Sequence, residues 1–336
     1  MLCLSTDLFL MPHKTKILLD IINSDFSVYQ EEIRSYKRAV YEQKCELVRE
    51  MTQQGYKMAK IITTVLKYFF AVHVTIPIYG ICFYYIKSED VEKLPLLIRM
   101  YSPLTFSLEM QSIEEYVIMS ALQLAYMYLS VIFVIILLQM QIVSIFHIRV
   151  EMKLFRMSVK LINGYCKEMT LNADGGMNGE FETELRFMMG ELARHHQNIF
   201  KKVKDVNIGF KFRLFYFNAY FCLQICLGIF IFLKGQALLK LKYGIILVTV
   251  ITLAFLFSED GQNFQDEGEE LRITLYNCYW QNKPKWFTST LQILMIRNNS
   301  LPKIALFNVF TLNRNNLTVV IRGAYSYFSL LNHFSK

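Results

Sequence analysis

At 336 residues, 54% of them hydrophobic and only 19% charged, the chain is too apolar for an ordinary soluble domain. Its mean hydropathy of +0.28 points instead to a polytopic membrane protein. The net charge of +8 does not argue for nucleic acid, because the basic residues lie between apolar runs, where cytoplasmic loops carry them.

Met1 to Met11 has no basic n-region, and Asp7 interrupts its apolar patch, so it reads as the tail of a helix and not as a signal peptide. Residues 12–58 are polar. Ile33, Tyr36, Val40, Leu47 and Met51 recur at helical spacing and predict an amphipathic cytoplasmic helix that runs on into the first span. That span is 61–86, with Lys67, His73 and Pro77 inside it, and a kink is expected at Pro77. A polar loop, 87–113, leads to the second span, 116–148, which holds no Asp, Glu, Lys or Arg. It is longer than a bilayer needs, so it is expected to tilt or to project beyond the membrane. Residues 149–205 are basic, with a turn at Asn172–Gly176 between helical flanks. The third span is 208–233 and the fourth 243–257. The fourth is expected to leave the membrane and continue as a cytoplasmic helix through the charged stretch Ser258–Arg272. An amphipathic piece, Trp286–Ile296, closes the third cytoplasmic segment, 258–303.

The fifth span is expected over 304–334. It is long enough to cross a ~30 Å core at 1.5 Å per residue, yet it carries Arg314, Arg322, several Asn residues and Gly323. An Arg at a helix centre costs roughly 2.5–3.5 kcal/mol on the insertion scale. Such a span makes sense when other helices surround it or when one side faces water. The reading is that it lines a pore. Segments 12–58 and 149–205 carry eight and ten Lys/Arg against three in 87–113, which puts the N-terminus in the cytoplasm and the C-terminus outside.

Several motifs then carry a resemblance. Tyr325-Ser326-Tyr327-Phe328-Ser329-Leu330-Leu331 follows Arg322; Tyr276–Trp280 is followed by Arg297–Pro302; Gly261 precedes Glu269-Glu270-Leu271; and Leu192–Phe200 contains His196 and Gln197. In these motifs the chain resembles the insect odorant receptors, seven-helix subunits of ligand-gated cation channels. Ser258 stands where that family often has Cys, and Leu317 where Phe is common. The resemblance implies an all-α polytopic bundle. Met1 falls near the end of the family's second helix, so the five spans correspond to helices three to seven, with cytoplasmic extensions forming an anchor.

The resemblance also implies roles. The gate falls at Leu330 and a polar residue nearer the exit at His333, with Ser326, Ser329 and Asn332 facing the same lumen. A volatile organic ligand would sit in the outer half, among His73, Ile76, Gly80 and Tyr84, Met119, Leu122, Gln123 and Tyr126, and Tyr243 and Leu247. Each set sits on one helical face by spacing. Trp280 and Trp286 would serve the anchor between subunits. The partners implied are an odorant, a co-receptor in a heterotetramer and membrane lipid, in the plasma membrane of olfactory sensory neurons. A gustatory-type chemoreceptor, a non-channel polytopic protein and a non-functional receptor fragment are the alternatives.

Nothing suggests an enzyme, a cofactor or a metal. His195 and His196 are adjacent and point ~100° apart on a helix. Cys222 and Cys226 share a face but lie in an apolar run, and seven cysteines read as small buried hydrophobes. The cluster Asp266, Glu267, Glu269, Glu270 lacks a Ca²⁺-loop spacing and reads as a solvated face. No HExxH, P-loop or GxSxG occurs. The sequons at Asn298 and Asn316 are expected to stay unglycosylated.

Overall fold

The computed structural model describes residues 12–27, 35–87, 112–171, 179–235, 237–281, 283–300, 302–306 and 310–334. The chain is an all-α bundle. Its helices are α1 (Pro12–Ile22), α2 (Ser35–Lys87), α3 (Ile113–Leu171), α4 (Gly179–Lys234), α5 (Ala237–Tyr276), α6 (Lys285–Asn298) and α7 (Arg314–Phe334). A two-residue ribbon, β1 (Ala305–Leu306) with β2 (Phe310–Thr311), sits before α7.

Among the described residues, four helices are long and apolar enough to cross a membrane, over Val40–Ile86, Ile113–Lys167, Arg213–Lys234 and Lys240–Tyr276. With 59 residues, α3 is about 88 Å long, almost three times the ~30 Å hydrocarbon core. The excess of α2, α3, α4 and α5 builds a second bundle on the basic side. Segment 149–205 is therefore two helical extensions around a short connection. The charged stretch after Phe257 does continue α5, as far as Tyr276.

Neighbour contacts fix the relative directions. Lys44 bonds Ser158 at 3.0 Å and Gln139 bonds Thr63 at 2.9 Å, so α2 and α3 run antiparallel. Tyr165 bonds Glu184 and Glu151 bonds His195, which makes α3 and α4 antiparallel. Phe217 packs on Phe257 and Gly228 on Leu247, so α4 and α5 are antiparallel as well. Asn316 meets Asn218 and Gly323 lies by Cys222, so α7 ascends beside α4.

In the acidic cluster, Asp266 and Glu270 are exposed and Glu269 half-buried, as a solvated face requires, but Glu267 is not. Glu267 is 8% exposed and receives Lys153 Nζ at 3.2 Å and Arg156 Nη2 at 2.7 Å, while Arg156 also pairs with Glu270. Two turns along α5, Arg149 Nη1 reaches Asp260 Oδ1 at 3.2 Å. Basic residues on α3 thus form a ladder with acidic residues on α5. The packing of α3 on α5, not their composition, decides that Glu267 and Asp260 are buried.

The fifth span is also shorter than expected. Ile304 and Leu312 close the ribbon through a 2.9 Å backbone bond, and Asn313 Oδ1 accepts the Asn316 N–H at 2.9 Å. Asn313 is therefore an N-cap, which starts the helix at Arg314 and not at 304. The remaining 21 residues are about 31 Å long, still a membrane thickness.

Candidate functional site

α7 has two unlike sides. Asn316, Val320 and Ala324 are buried against α4 and α5, with Leu317 and Phe328 half-buried beside them. At about 100° per residue these three fall within a wedge of about 80°. Arg322, Ser326, Ser329, Leu330 and His333 are exposed and fall within about 100° on the other side of the helix. Four of the five residues nominated for the pore therefore share one strip with Arg322. Asn332 lies on a flank between the two faces and is half-buried. The strip carries hydroxyl, imidazole and guanidinium groups together with two apolar side chains, Leu330 and Val319. Such a surface suits water or a partner helix better than acyl chains.

The root of this helix is bound to α5. Arg314 donates Nε and Nη2 to the two oxygens of Glu259, at 2.7 and 2.6 Å. Gln265 Nε2 reaches the Leu312 carbonyl at 3.4 Å. At Gly261 the two chains come closer than a side chain allows: a Cβ there would stand 2.3 Å from Leu312 O. On the other side, Asn207 of α4 accepts the Ala305 N–H and donates to Lys303 O, both at 2.9 Å. Glu259 and Asp260 are consecutive, so one turn of α5 holds α7 with one carboxylate and α3 with the next.

The residues nominated for a ligand pocket separate into two groups. His73 (4% exposed), Met119 (3%) and Gln123 (7%) turn inward, and the imidazole donates Nδ1–H to Phe69 O at 2.8 Å. Tyr84 packs with Ile81 and Ile113 around the fully buried Tyr116. Ile76, Tyr243 and Leu247 are half-buried, and Leu247 touches Gly228 of α4. Leu122 and Tyr126 point the other way, at 54% and 56% exposed. Spacing groups them with Met119 and Gln123, but the bundle edge runs between the pairs. Gly80 lies on α2, and its surroundings are outside the described residues. A cleft among α2, α3 and α4, lined by Lys44, Ser158, Leu161, Met188, Leu192 and His195, is well away from these positions.

The two tryptophans differ. Trp286 is half-buried within the subunit, its indole N–H donating to Glu182 Oε1 at 3.1 Å and the Arg186 guanidinium 4.5 Å over its ring. Trp280 is 51% exposed, with Ile293 and Ile296 of α6 also exposed at 66% and 70%.

A polar cluster among α3, α4 and the segment after α1 had no counterpart in sequence reasoning. Glu151, fully buried, accepts from His195 Nε2 at 2.8 Å and Lys202 Nζ at 2.9 Å. Lys202 also lies 3.1 Å from His147 Nε2, against which Phe26 stacks. The Ser27 backbone N–H completes the carboxylate's shell at 3.3 Å. The segment after α1 is thereby tied to α3 and α4. The neighbouring His196 faces Phe155 and Phe200, and burial holds its imidazole down to about 4, so it is neutral at cytoplasmic pH. Among the described residues no group of three His, Cys, Asp or Glu is placed to hold a metal.

Residues 17–325 match the 7tm odorant receptor family. Among solved structures, the chain is similar to the insect olfactory receptor OR5 from Machilis hrabei in complex with eugenol. The TM-score is 0.63 at 13% identity, over 97% of this chain and 76% of that one. A second structure of the same receptor gives 0.62 at 12% identity, over 98% and 76%. No curated protein matches in sequence.

Proposed function

The chain belongs to the 7tm odorant receptor family, and from that premise we propose that it is an odorant-specific subunit of a ligand-gated cation channel. The observation that carries this reading is the exposed strip of α7, polar along Arg322, Ser326, Ser329 and His333 and opposed to the face that packs on α4 and α5. Four such strips, contributed by this chain and a co-receptor, would enclose an aqueous path. Leu330 would supply the apolar constriction that excludes water when closed, and His333 the polar ring nearer the exit. Asn332, on the flank, would contact the adjacent subunit.

The ligand would be a small volatile organic molecule held in the outer half. His73, Met119 and Gln123 offer one or two polar atoms among apolar walls, the usual balance for such pockets. Ile76, Gly80, Tyr84, Tyr243 and Leu247 would complete them. Leu122 and Tyr126 would bear on lipid. Opening requires that the odorant bind the open arrangement more tightly than the closed one. The exposed patch of Trp280, Ile293 and Ile296 would form the contact between subunits, and Trp286 would stiffen it from within. The protein would reside in the plasma membrane of olfactory sensory neurons, with its N-terminus in the cytoplasm and C-terminus outside.

Co-expression with an odorant co-receptor tests this. Eugenol and a broad panel of volatiles are applied while whole-cell current is recorded. An odorant-evoked inward cation current, absent with the co-receptor alone, is expected. Silence across the panel with surface expression demonstrated would count against the reading.

A further inference from the structure

We propose that the outward face of α2 is a docking site for an anionic phospholipid of the cytoplasmic leaflet, held by Lys57, Lys60 and Lys67. All three lysines are exposed. Relative to Lys57, at about 100° per residue, they span about 80° of the helix. The buried residues of the same helix, Met51, Ile62, Leu66 and His73, fall on the opposite side, against α3 and the core. The lysine face is therefore the one that packing leaves uncovered.

Depth is set by the sequence of α2 itself. From Tyr68 to Ile86 no charged residue occurs. At 1.5 Å per residue that run is about 28 Å, one hydrocarbon thickness. Lys67 then stands at the edge of the hydrocarbon, with Lys60 about two turns and Lys57 nearly three turns further out on the cytoplasmic side. Tyr68, 70% exposed, follows Lys67 with its ring where a headgroup meets acyl chain, and Tyr56, 72% exposed, precedes Lys57 on the water side.

Charge complementarity selects the occupant. No Asp or Glu lies between Met51 and Lys87, so the strip is uncompensated by its own helix. Exposed ammonium groups at this depth meet phosphate and carboxylate headgroups, and the apolar stretch above them meets the acyl chains. An acidic soluble protein would match the lysines but not the apolar continuation through Ile78 and Tyr79, 54% and 50% exposed.

The test uses the full chain in phosphatidylcholine nanodiscs doped with phosphatidylserine, with retained lipid counted by native mass spectrometry. Each surface lysine contributes roughly fivefold to association with an anionic membrane. The variant Lys57→Gln/Lys60→Gln/Lys67→Gln is expected to lower apparent phosphatidylserine affinity by roughly 100-fold on the same scale, with its thermal transition unchanged. The Lys→Arg triple variant is expected to retain binding. Equal retention by wild type and the Gln variant would overturn the proposal, because the face would then be covered by protein. Displacement of the lipid by inorganic phosphate at equal concentration would overturn it too, reducing the face to a simple anion patch.

Discussion

Gly261→Val is expected to abolish correct seating of α7 and, with it, surface expression. A Cβ at this position would stand 2.3 Å from the Leu312 carbonyl oxygen and 2.4 Å from Leu312 Cγ. A backbone carbonyl cannot rotate aside as a side chain does. The ribbon before α7 would have to lift off α5, breaking the Gln265–Leu312 bond and pulling on the Arg314–Glu259 pair. Overpacking of this kind costs about 1–3 kcal/mol and occasionally more. Gly164 and Gly190 are the internal controls, since nothing lies within 4 Å of a Cβ built there. Both are helical, so Gly→Ala is expected to raise stability by about 0.5–1 kcal/mol. Thermal unfolding of the purified variants would read the opposite signs directly.

The second large effect is expected at Glu151. Glu151→Ala leaves Lys202 and His195 facing an empty carboxylate position in a buried site and removes the acceptor of the Ser27 N–H. Breaking a buried ion pair from one side costs about 3–5 kcal/mol. The variant is expected to melt much earlier and to expose the segment after α1 to protease. Glu151→Leu combined with Lys202→Met should recover the part of the loss that comes from leaving the Lys202 charge uncompensated, while the bonds from His195 and the Ser27 N–H to the carboxylate stay lost. Equal losses in the single and double variants would mean that the cluster acts through shape and not through charge.

The two sites differ in how far the sequence announced them. The long uncharged run of 116–148 and the apolar runs of 208–233 and 243–257 are visible because a bilayer demands them. The continuation of α5 past Phe257 follows from the lack of any Gly-Pro break before Tyr276. By contrast, Ile304–Phe310 reads as the apolar start of a span, and only tertiary contact with Asn207 and Gly261 folds it back. The cap at Asn313 is readable in retrospect, since an Asn three residues before Asn316 is an N-terminal signal. Glu151 meets His195 and Lys202 across 44 and 51 residues, a distance at which no local pattern operates. The same holds for Glu267, whose partners on α3 are more than a hundred positions away.

Among the nominated site residues, helical spacing was enough to gather Ser326, Ser329, Leu330 and His333 on one side. It was not enough to separate Met119 and Gln123 from Leu122 and Tyr126. All four lie within about 100° of one another, and only the edge of the neighbouring helices divides inward from outward.

The consecutive pair Glu259 and Asp260 gives the architecture a mechanical consequence. Arg314 holds one carboxylate and Arg149 the other, so displacement of α5 reaches the base of α7 and the middle of α3 together. Tyr243 and Leu247, proposed for the ligand pocket, lie on the same helix that grips the root of the polar strip.

The most direct measurement is thiol accessibility along α7 in a cysteine-depleted background co-expressed with co-receptor. Ser326→Cys and Ser329→Cys are expected to make the odorant-evoked current sensitive to a charged methanethiosulfonate applied from outside, while Val320→Cys and Ala324→Cys leave it unaffected. Modification of the second pair with the first pair inert would place water on the opposite side of the helix and contradict the account.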